Sequence, residues 1–285
     1  MIMDNKANIK ILVACHKADP AIRQDGIYMP IHVGKSMHPD IDLGFQGDNT
    51  GDNISDKNGS YCELTALYWG WKNLPKDVDI VGLCHYRRYF KLDAKDPHSH
   101  IDGLLKKHDA VILPDHVREI SNIGVLTELT CQEDTALFID LLIEKYPQWK
   151  DTVGRYFYQS NRASWCNMMI MRREIMDRYC DFLFSFLHDL ESTLLPIPYT
   201  RIVRRMGYFA EMLLGFWLQV NGYSVSRIGF DDDNENRLMK FQRTIRHNLS
   251  FYLFRHKPFQ VYYATYIGLK QDGRPLKHIK PGKSK

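Results

Sequence analysis

The sequence predicts an α/β fold, a mostly parallel sheet flanked by helices, followed by a basic, aromatic C-terminal extension. Three observations predict it. Short apolar runs rich in β-branched residues stand at Ile9 to Ala14, Val78 to Leu83 and Ala110 to Leu113, each stopping at polar residues as buried strands do. Between the first two, apolar residues recur at helical spacing. Strands and helices then alternate, the pattern of a parallel sheet covered on both faces.

The run from Ile9 to Ala14 ends at Cys15-His16-Lys17 and reads as a strand feeding a loop. The segment from Gly44 to Ser60 is long, polar and glycine-rich, a composition that loops use for function or leave disordered. Cys62 to Leu74 carries Leu64, Leu67, Tyr68, Trp71 and Leu74 on one helical face, and Ser60-x-x-Glu63 at its start matches a capping box. Val78 to Leu83 and Ala110 to Leu113 are the next strands, followed by Cys166 to Met171 and Tyr223 to Ile228. Helices are expected from Arg173 to Leu190 and from Tyr208 to Val220, the latter with a stripe of Leu213, Phe216, Trp217 and Val220. The domain division expected is residues 1–230 for the α/β domain and 231–285 for the basic extension.

At 285 residues, 44% hydrophobic and 25% charged, the chain has the makings of a sizeable core. The start, Met1 to Lys6, lacks the basic and apolar regions of a secretory signal, and no apolar stretch approaches the roughly 20 residues that cross a bilayer. A cytoplasmic protein is expected. Six cysteines without a C-x-x-C pair argue for free thiols rather than a zinc site or a disulfide framework. The net charge of +4 conceals an asymmetry: residues 237 to 285 hold 12 Lys and Arg against the single Asp272, leaving 26 basic and 33 acidic side chains elsewhere. An acidic body with a basic end that meets an anionic surface is implied.

Several residues are candidates for chemistry. Arg87 and Arg88, following a strand within Cys84-His85-Tyr86-Arg87-Arg88-Tyr89-Phe90, present planar donor pairs that match phosphate oxygens, or else form a solvated loop. His85 suits a phosphate donor or a metal ligand. His16 and Lys17 are a second cationic pair at a strand end, though such residues are ordinary at a surface. The polar loop offers Asp48, Asp52, Asn53 and Asn58 beside glycines that let backbone approach a ligand, while Asn and Gly also dominate plain turns. Glu63 reads first as the capping partner of Ser60. Asp231-Asp232-Asp233 reads as a solvated acidic turn after the last strand, away from the middle one.

The segments ILVACHK (11–17), DNTGDNISDKN (48–58), YCELTALYWGW (61–71), GLCHYRRYF (82–90), NMMIM (167–171) and GYFAEMLL (207–214) together resemble a bacterial family of capsule and exopolysaccharide gene clusters. Its members include galactofuranosyltransferases. The resemblance spans residues 9 to about 229, with Met169 standing where an aromatic residue is expected and Met212 where an arginine is.

It implies a GT-A-like (Rossmann-like) fold, with a nucleotide sugar beyond the carboxyl ends of the strands. GT-A enzymes commonly place Asp-x-Asp on a divalent cation at the end of the middle strand, where this chain has His85-Tyr86-Arg87-Arg88. The resemblance therefore implies metal-independent transfer, with no cofactor and the arginines stabilising the diphosphate. Donor binding is expected at His16, Lys17, Asp52, Asn53, Asn58, His85, Tyr86, Arg87 and Arg88, and sugar or acceptor binding at Asn167. Glu211, near a helix start, is the expected base of an inverting reaction. UDP-galactofuranose is the expected donor and a lipid-linked glycan the acceptor.

Residues 237 to 267 interleave Arg and Lys with Phe and Tyr, which suits nucleic acid, the headgroup zone of an anionic bilayer, or a helix packed on the body by its aromatics with Arg and Lys solvated. A glycosyltransferase favours peripheral attachment to the inner face of the cell membrane, with no nucleic acid partner. Two other readings stay open: a nucleic-acid-binding protein, and a glycan-binding module without catalysis.

Overall fold

A computed structural model describes residues 6–195, 203–232 and 237–254. In chain order, β1 (Ile9–Cys15), β2 (Tyr28–His32) and β3 (Gln46–Gly47) precede helices α1 (Asn58–Tyr61) and α2 (Leu64–Asn73). Next come β4 (Ile80–His85), β5 (Arg88–Phe90), α3 (Pro97–Leu105), β6 (Ala110–Ile112) and β7 (His116–Val117). Helices α4 (Asn122–Leu129), α5 (Gln132–Lys145) and α6 (Lys150–Val153) lead to β8 (Arg162–Ala163) and β9 (Met169–Arg172). The chain continues through α7 (Arg173–Thr193), α8 (Arg205–Val220), β10 (Val225–Arg227), β11 (Phe230–Asp232) and α9 (Arg237–Phe254).

The chain forms two compact units: Met1–Pro114, Cys166–Phe182 and Gly222–Asn236 make the first, and Asp115–Trp165, Leu183–Asn221 and Arg237–Lys285 the second. The first holds a nine-stranded sheet of order β10-β6-β9-β4-β1-β2-β3, with β5 on β4 and β11 on β5. β1 pairs in parallel with β2 and β4, as β6 does with β10, whereas β9 runs antiparallel between β4 and β6. The α/β class with a mostly parallel sheet holds.

Alternation along β1 explains how both faces are covered. Ile11, Val13 and Cys15 share a core with Ile101 and Leu105 of α3, while the intervening Leu12 meets α2 on the other side. That approach is close. A Cβ on Gly70 of α2 would lie 2.3 Å from Leu12 Cδ1, and one on Gly82 of β4 would lie 3.0 Å from the Met169 carbonyl oxygen.

Several expected elements shift. The strand expected at Val78 to Leu83 begins at Ile80 and runs through His85, because Val13 and Ala14 pair with Cys84 and His85. Cys166 and Asn167 precede β9 in left-handed conformations rather than lying in a strand. The loop from Gly44 is ordered: buried Asp48 accepts hydrogen bonds from the backbone N–H of Gly34 and Lys35 and from the Ser55 hydroxyl.

The capping box is overturned. The helix of residues 62–74 breaks at Cys62, φ 53° and ψ −129°, so Glu63 is itself the N-cap of α2 and its side chain makes no capping bond. All six cysteines are free. No described helix is long and apolar enough to cross a membrane.

The second unit is a helical layer around aromatic rings. Phe138 of α5 stacks on Phe209 of α8 at 4.7 Å, and Phe157, Phe186 and Phe216 gather around them. Arg205, the first residue of α8, donates to buried Asp134 at 2.8 Å. The narrow stripe expected for α8 is corrected, since Met206, Ala210, Met212 and Leu214 are buried as well as Leu213, Phe216 and Trp217. Residues 255–267 of the expected basic, aromatic segment and Asp233 lie outside the described residues.

Candidate functional site

The carboxyl ends of β1 and β4 lie side by side, although the chain leaves β1 toward β2 and only later crosses back to enter β4. Ligands of open α/β sheets bind outside the carboxyl ends of the strands at such a reversal of strand order. His16 follows β1 and Tyr86 follows β4, and their rings meet edge to face at 5.1 Å. Tyr86 and Arg87 turn the chain into β5, so the arginines belong to a hairpin rather than a free loop.

The β1–β2 loop is tied to this hairpin. The Arg23 guanidinium lies 4.1 Å from the Tyr89 ring centre, and the Arg23 N–H donates to the Tyr89 hydroxyl at 3.0 Å. That anchorage brings Asp19 to Arg87, whose Nε donates to Asp19 Oδ2 at 3.3 Å while its guanidinium lies 4.8 Å from the Tyr86 ring centre. The Ala21 N–H first, and Arg87 with it, lower the Asp19 pKa below 3.8, so the pair is ionic at neutral pH.

Arg88 Nε donates to Asp232 Oδ2 at 3.3 Å, and Nη1 reaches Cys166 Sγ at 3.4 Å. The acidic run is therefore not a solvated turn. Asp231 and Asp232 belong to β11, opposite Tyr89 and Arg88, and Lys91 stands 3.9 Å from Asp231. Both carboxylates face cations already, which does not suit a resident metal. Among the described residues, no three His, Cys, Asp or Glu stand close enough to hold a metal ion.

His85 Nε2 lies 2.8 Å from the Cys166 carbonyl oxygen. A carbonyl only accepts, so this nitrogen carries the proton and Nδ1 is the acceptor of the neutral ring.

Beside it lies a contact that residue spacing alone did not reveal. Asn167 Nδ2 donates to Glu63 Oε1 at 2.8 Å, with both residues buried and 104 positions apart. Cys62, Cys166 and Asn167 are the described non-glycine residues with positive φ, and all three flank this contact. Such backbone costs about 1–3 kcal/mol per residue and persists where surrounding structure holds it, commonly at functional sites. The sequence carries no local signal of this contact, whose partners are 104 positions apart.

The other expected residues are placed as follows. Lys17 is exposed just past β1. Asn58 donates to the Cys62 carbonyl and the Thr65 hydroxyl, which closes the α1–α2 junction. Asp52 accepts from the Tyr68 hydroxyl at 3.0 Å, its N–H donates to Asn73, and Asn53 folds onto Gly51 and Ser55. These contacts hold Asp52 and Asn53 near the C-terminal end of α2, a helix length from Glu63. Glu211 lies in the second unit, half-buried and in the second turn of α8 rather than its first, because the helix starts at Arg205.

Cysteine nucleophiles are not supported at the strands. Burial pushes the Cys15 thiol up to about 12 and raises that of Cys84 well above its ordinary value, so both stay protonated at neutral pH.

Residues 10–222 match the family described as "Domain of unknown function (DUF4422)". Among solved structures, the chain is similar to the apo structure of WbbM, a bifunctional glycosyltransferase, with 27% identity and a TM-score of 0.71. That similarity covers 80% of this chain and 46% of the WbbM chain, so the present chain spans about half of its relative's length. No curated protein sequence matches.

Proposed function

The chain belongs to the DUF4422 family, and from that premise we propose that it is a glycosyltransferase acting on a nucleotide diphosphate sugar. The observation that carries the reading is the contact of His16, Tyr86 and Arg87 at the carboxyl ends of β1 and β4, where the strand order reverses, in a chain similar to a glycosyltransferase structure. UDP-galactofuranose is the proposed donor. A hydroxyl of a lipid-linked glycan of capsular or exopolysaccharide synthesis is the proposed acceptor.

The leaving nucleotide diphosphate gains negative charge as the glycosidic bond breaks, and preorganised cations lower that barrier. Arg87 and Arg88 serve this purpose in the proposal. Each is held through Nε by a carboxylate, Asp19 or Asp232, which fixes the direction of the guanidinium. His85, with Nε2 on the Cys166 carbonyl, offers Nδ1 to a phosphate only when protonated. Glu211 is proposed as the base that takes the acceptor proton in a single inverting displacement. Lys17 serves the nucleotide, and an anionic membrane surface meets the C-terminal region.

The test incubates the protein with candidate UDP-sugars and a lipid-tethered acceptor, with and without EDTA. Transfer that persists in EDTA and falls about 100-fold or more in Glu211→Gln supports the proposal, the latter being the usual scale of general-base catalysis. Complete loss in EDTA would overturn the metal-free role of the arginines. Normal turnover of Glu211→Gln would remove the base.

A further inference from the structure

Helix α9 is seated in the second unit by specific contacts. It packs on β7; the Arg162 guanidinium of β8 lies 5.8 Å from the Phe251 ring centre, and Asn161 Nδ2 donates to the Phe254 carbonyl at 3.4 Å. Between helix and strand lies a cavity of about 320 Å³. Arg118, Arg243, Arg246 and His116 line it together with Ser250, and Glu119 is the one acid among the lining residues. Among the described residues, no hydrogen bond or ion pair engages the side chains of Arg118 and Arg246. Like charges around one cavity repel, and an anion placed among them relieves the repulsion.

Helical register sets a second feature on the same helix. At about 100° per residue, Arg243, Arg246, Ser250 and Phe254 fall within an arc of roughly 80°. Phe241, Tyr252, Ile245, Leu238 and Leu249 fall within an arc of similar width centred about 140° away round the helix. This second arc is exposed to solvent: Phe241 is 62% exposed, Leu238 63% and Tyr252 66%. Residues 237 to 254 contain no Asp or Glu. Large contiguous apolar patches on a soluble surface mark an interaction site.

We propose that the cavity binds the phosphate of an anionic phospholipid, with the apolar arc on the other side of α9 lying in the acyl region of the bilayer. A guanidinium cluster recognises phosphate through paired, charge-assisted hydrogen bonds. An in-plane amphipathic helix with basic residues supplies the apolar burial. The two features lie on opposing sides of one helix, the arrangement of an in-plane helix whose basic side meets headgroups while its apolar side enters the acyl region. The inference deepens the membrane part of the proposed function and stands apart from sugar transfer, since vesicle binding needs no donor.

The test sediments the full chain with phosphatidylcholine vesicles, alone or containing phosphatidylglycerol. The wild type pellets with the anionic vesicles only. A basic residue near an anionic surface is worth roughly fivefold in affinity as a diffuse charge, so Lys240→Gln, outside the cavity, serves as the control. Arg118→Gln and Arg246→Gln each weaken binding by several times more than Lys240→Gln, and Ile245→Asn/Leu249→Asn weakens it with the cavity intact. Far-UV circular dichroism and melting temperature confirm that each variant folds.

Equal losses in Lys240→Gln and Arg118→Gln would overturn the cavity while leaving membrane attachment in place. Wild type that stays in the supernatant would overturn both. Equal protection by inorganic phosphate against melting and against vesicle binding would make the cavity a free-phosphate site, and tighter binding to a single-stranded oligonucleotide than to vesicles would overturn the lipid assignment.

Discussion

At the scale of single residues, the hydrogen bond from Asn167 to Glu63 joins the start of α2 to the approach of β9. Its strength is measurable because Asn167 has φ 48°, a conformation glycine adopts freely. Asn167→Gly therefore deletes the donor without adding backbone strain, and leaves a buried carboxylate without it. We expect a loss of about 1–3 kcal/mol, the penalty of an unsatisfied buried polar group, read from urea unfolding. Glu63→Gln keeps an acceptor oxygen toward Asn167 and should be milder. A neutral Asn167→Gly would show that the three left-handed residues are held by something else. Glu63 was misread in the sequence for a physical reason: Ser60-x-x-Glu63 has the spacing of a local cap, and no local pattern reveals a partner 104 residues away.

At the scale of elements, the join between α2 and β1 depends on the missing side chain of Gly70, since a Cβ there meets Leu12 Cδ1 at 2.3 Å in a fully buried site. Two effects oppose each other in Gly70→Ala. Helix propensity favours alanine by about 1 kcal/mol, whereas overpacking a core costs about 1–3 kcal/mol. The second should prevail, so Gly70→Ala lowers the melting temperature of the wild type. In a Leu12→Ala background the obstruction is gone and the sign should reverse. Stabilisation in both backgrounds would show that α2 yields to the added methyl.

The same level shows what was legible. The β-branched runs marked β1, β4 and β6, because strands buried on both faces are apolar throughout. Antiparallel β9 between β4 and β6 was not legible, since direction leaves no trace in a strand of four residues. Pairing of β11 with β5, which delivers Asp232 to Arg88, depends on residues 144 apart and was likewise hidden.

At the scale of the whole molecule, response to acid follows from a few buried or bonded groups rather than from net charge. His32 is 2% exposed, and burial first, with the Lys35 ammonium second, lowers its pKa below the ordinary 6.5 against the opposing carboxylates of Asp48 and Asp42. The folded state therefore binds this proton less readily than the unfolded chain. Its contribution to stability is complete above pH 6.5 and is lost as pH falls through the lowered folded value. Asp19, Asp96 and Asp109 are each held below 3.8, chiefly by hydrogen bonds from Ala21, Ser99 and Ser224 respectively. Their contributions have the same sign in a lower window, complete above about pH 3.8 and lost beneath it. The melting temperature should thus fall in two stages as pH drops, the first beginning near pH 6.5 and the second below pH 4. His32→Asn, neutral at every pH, should remove the first stage and leave the second. A first stage that survives in His32→Asn would assign it to another group, because no described carboxylate with a resolved shift titrates in that window.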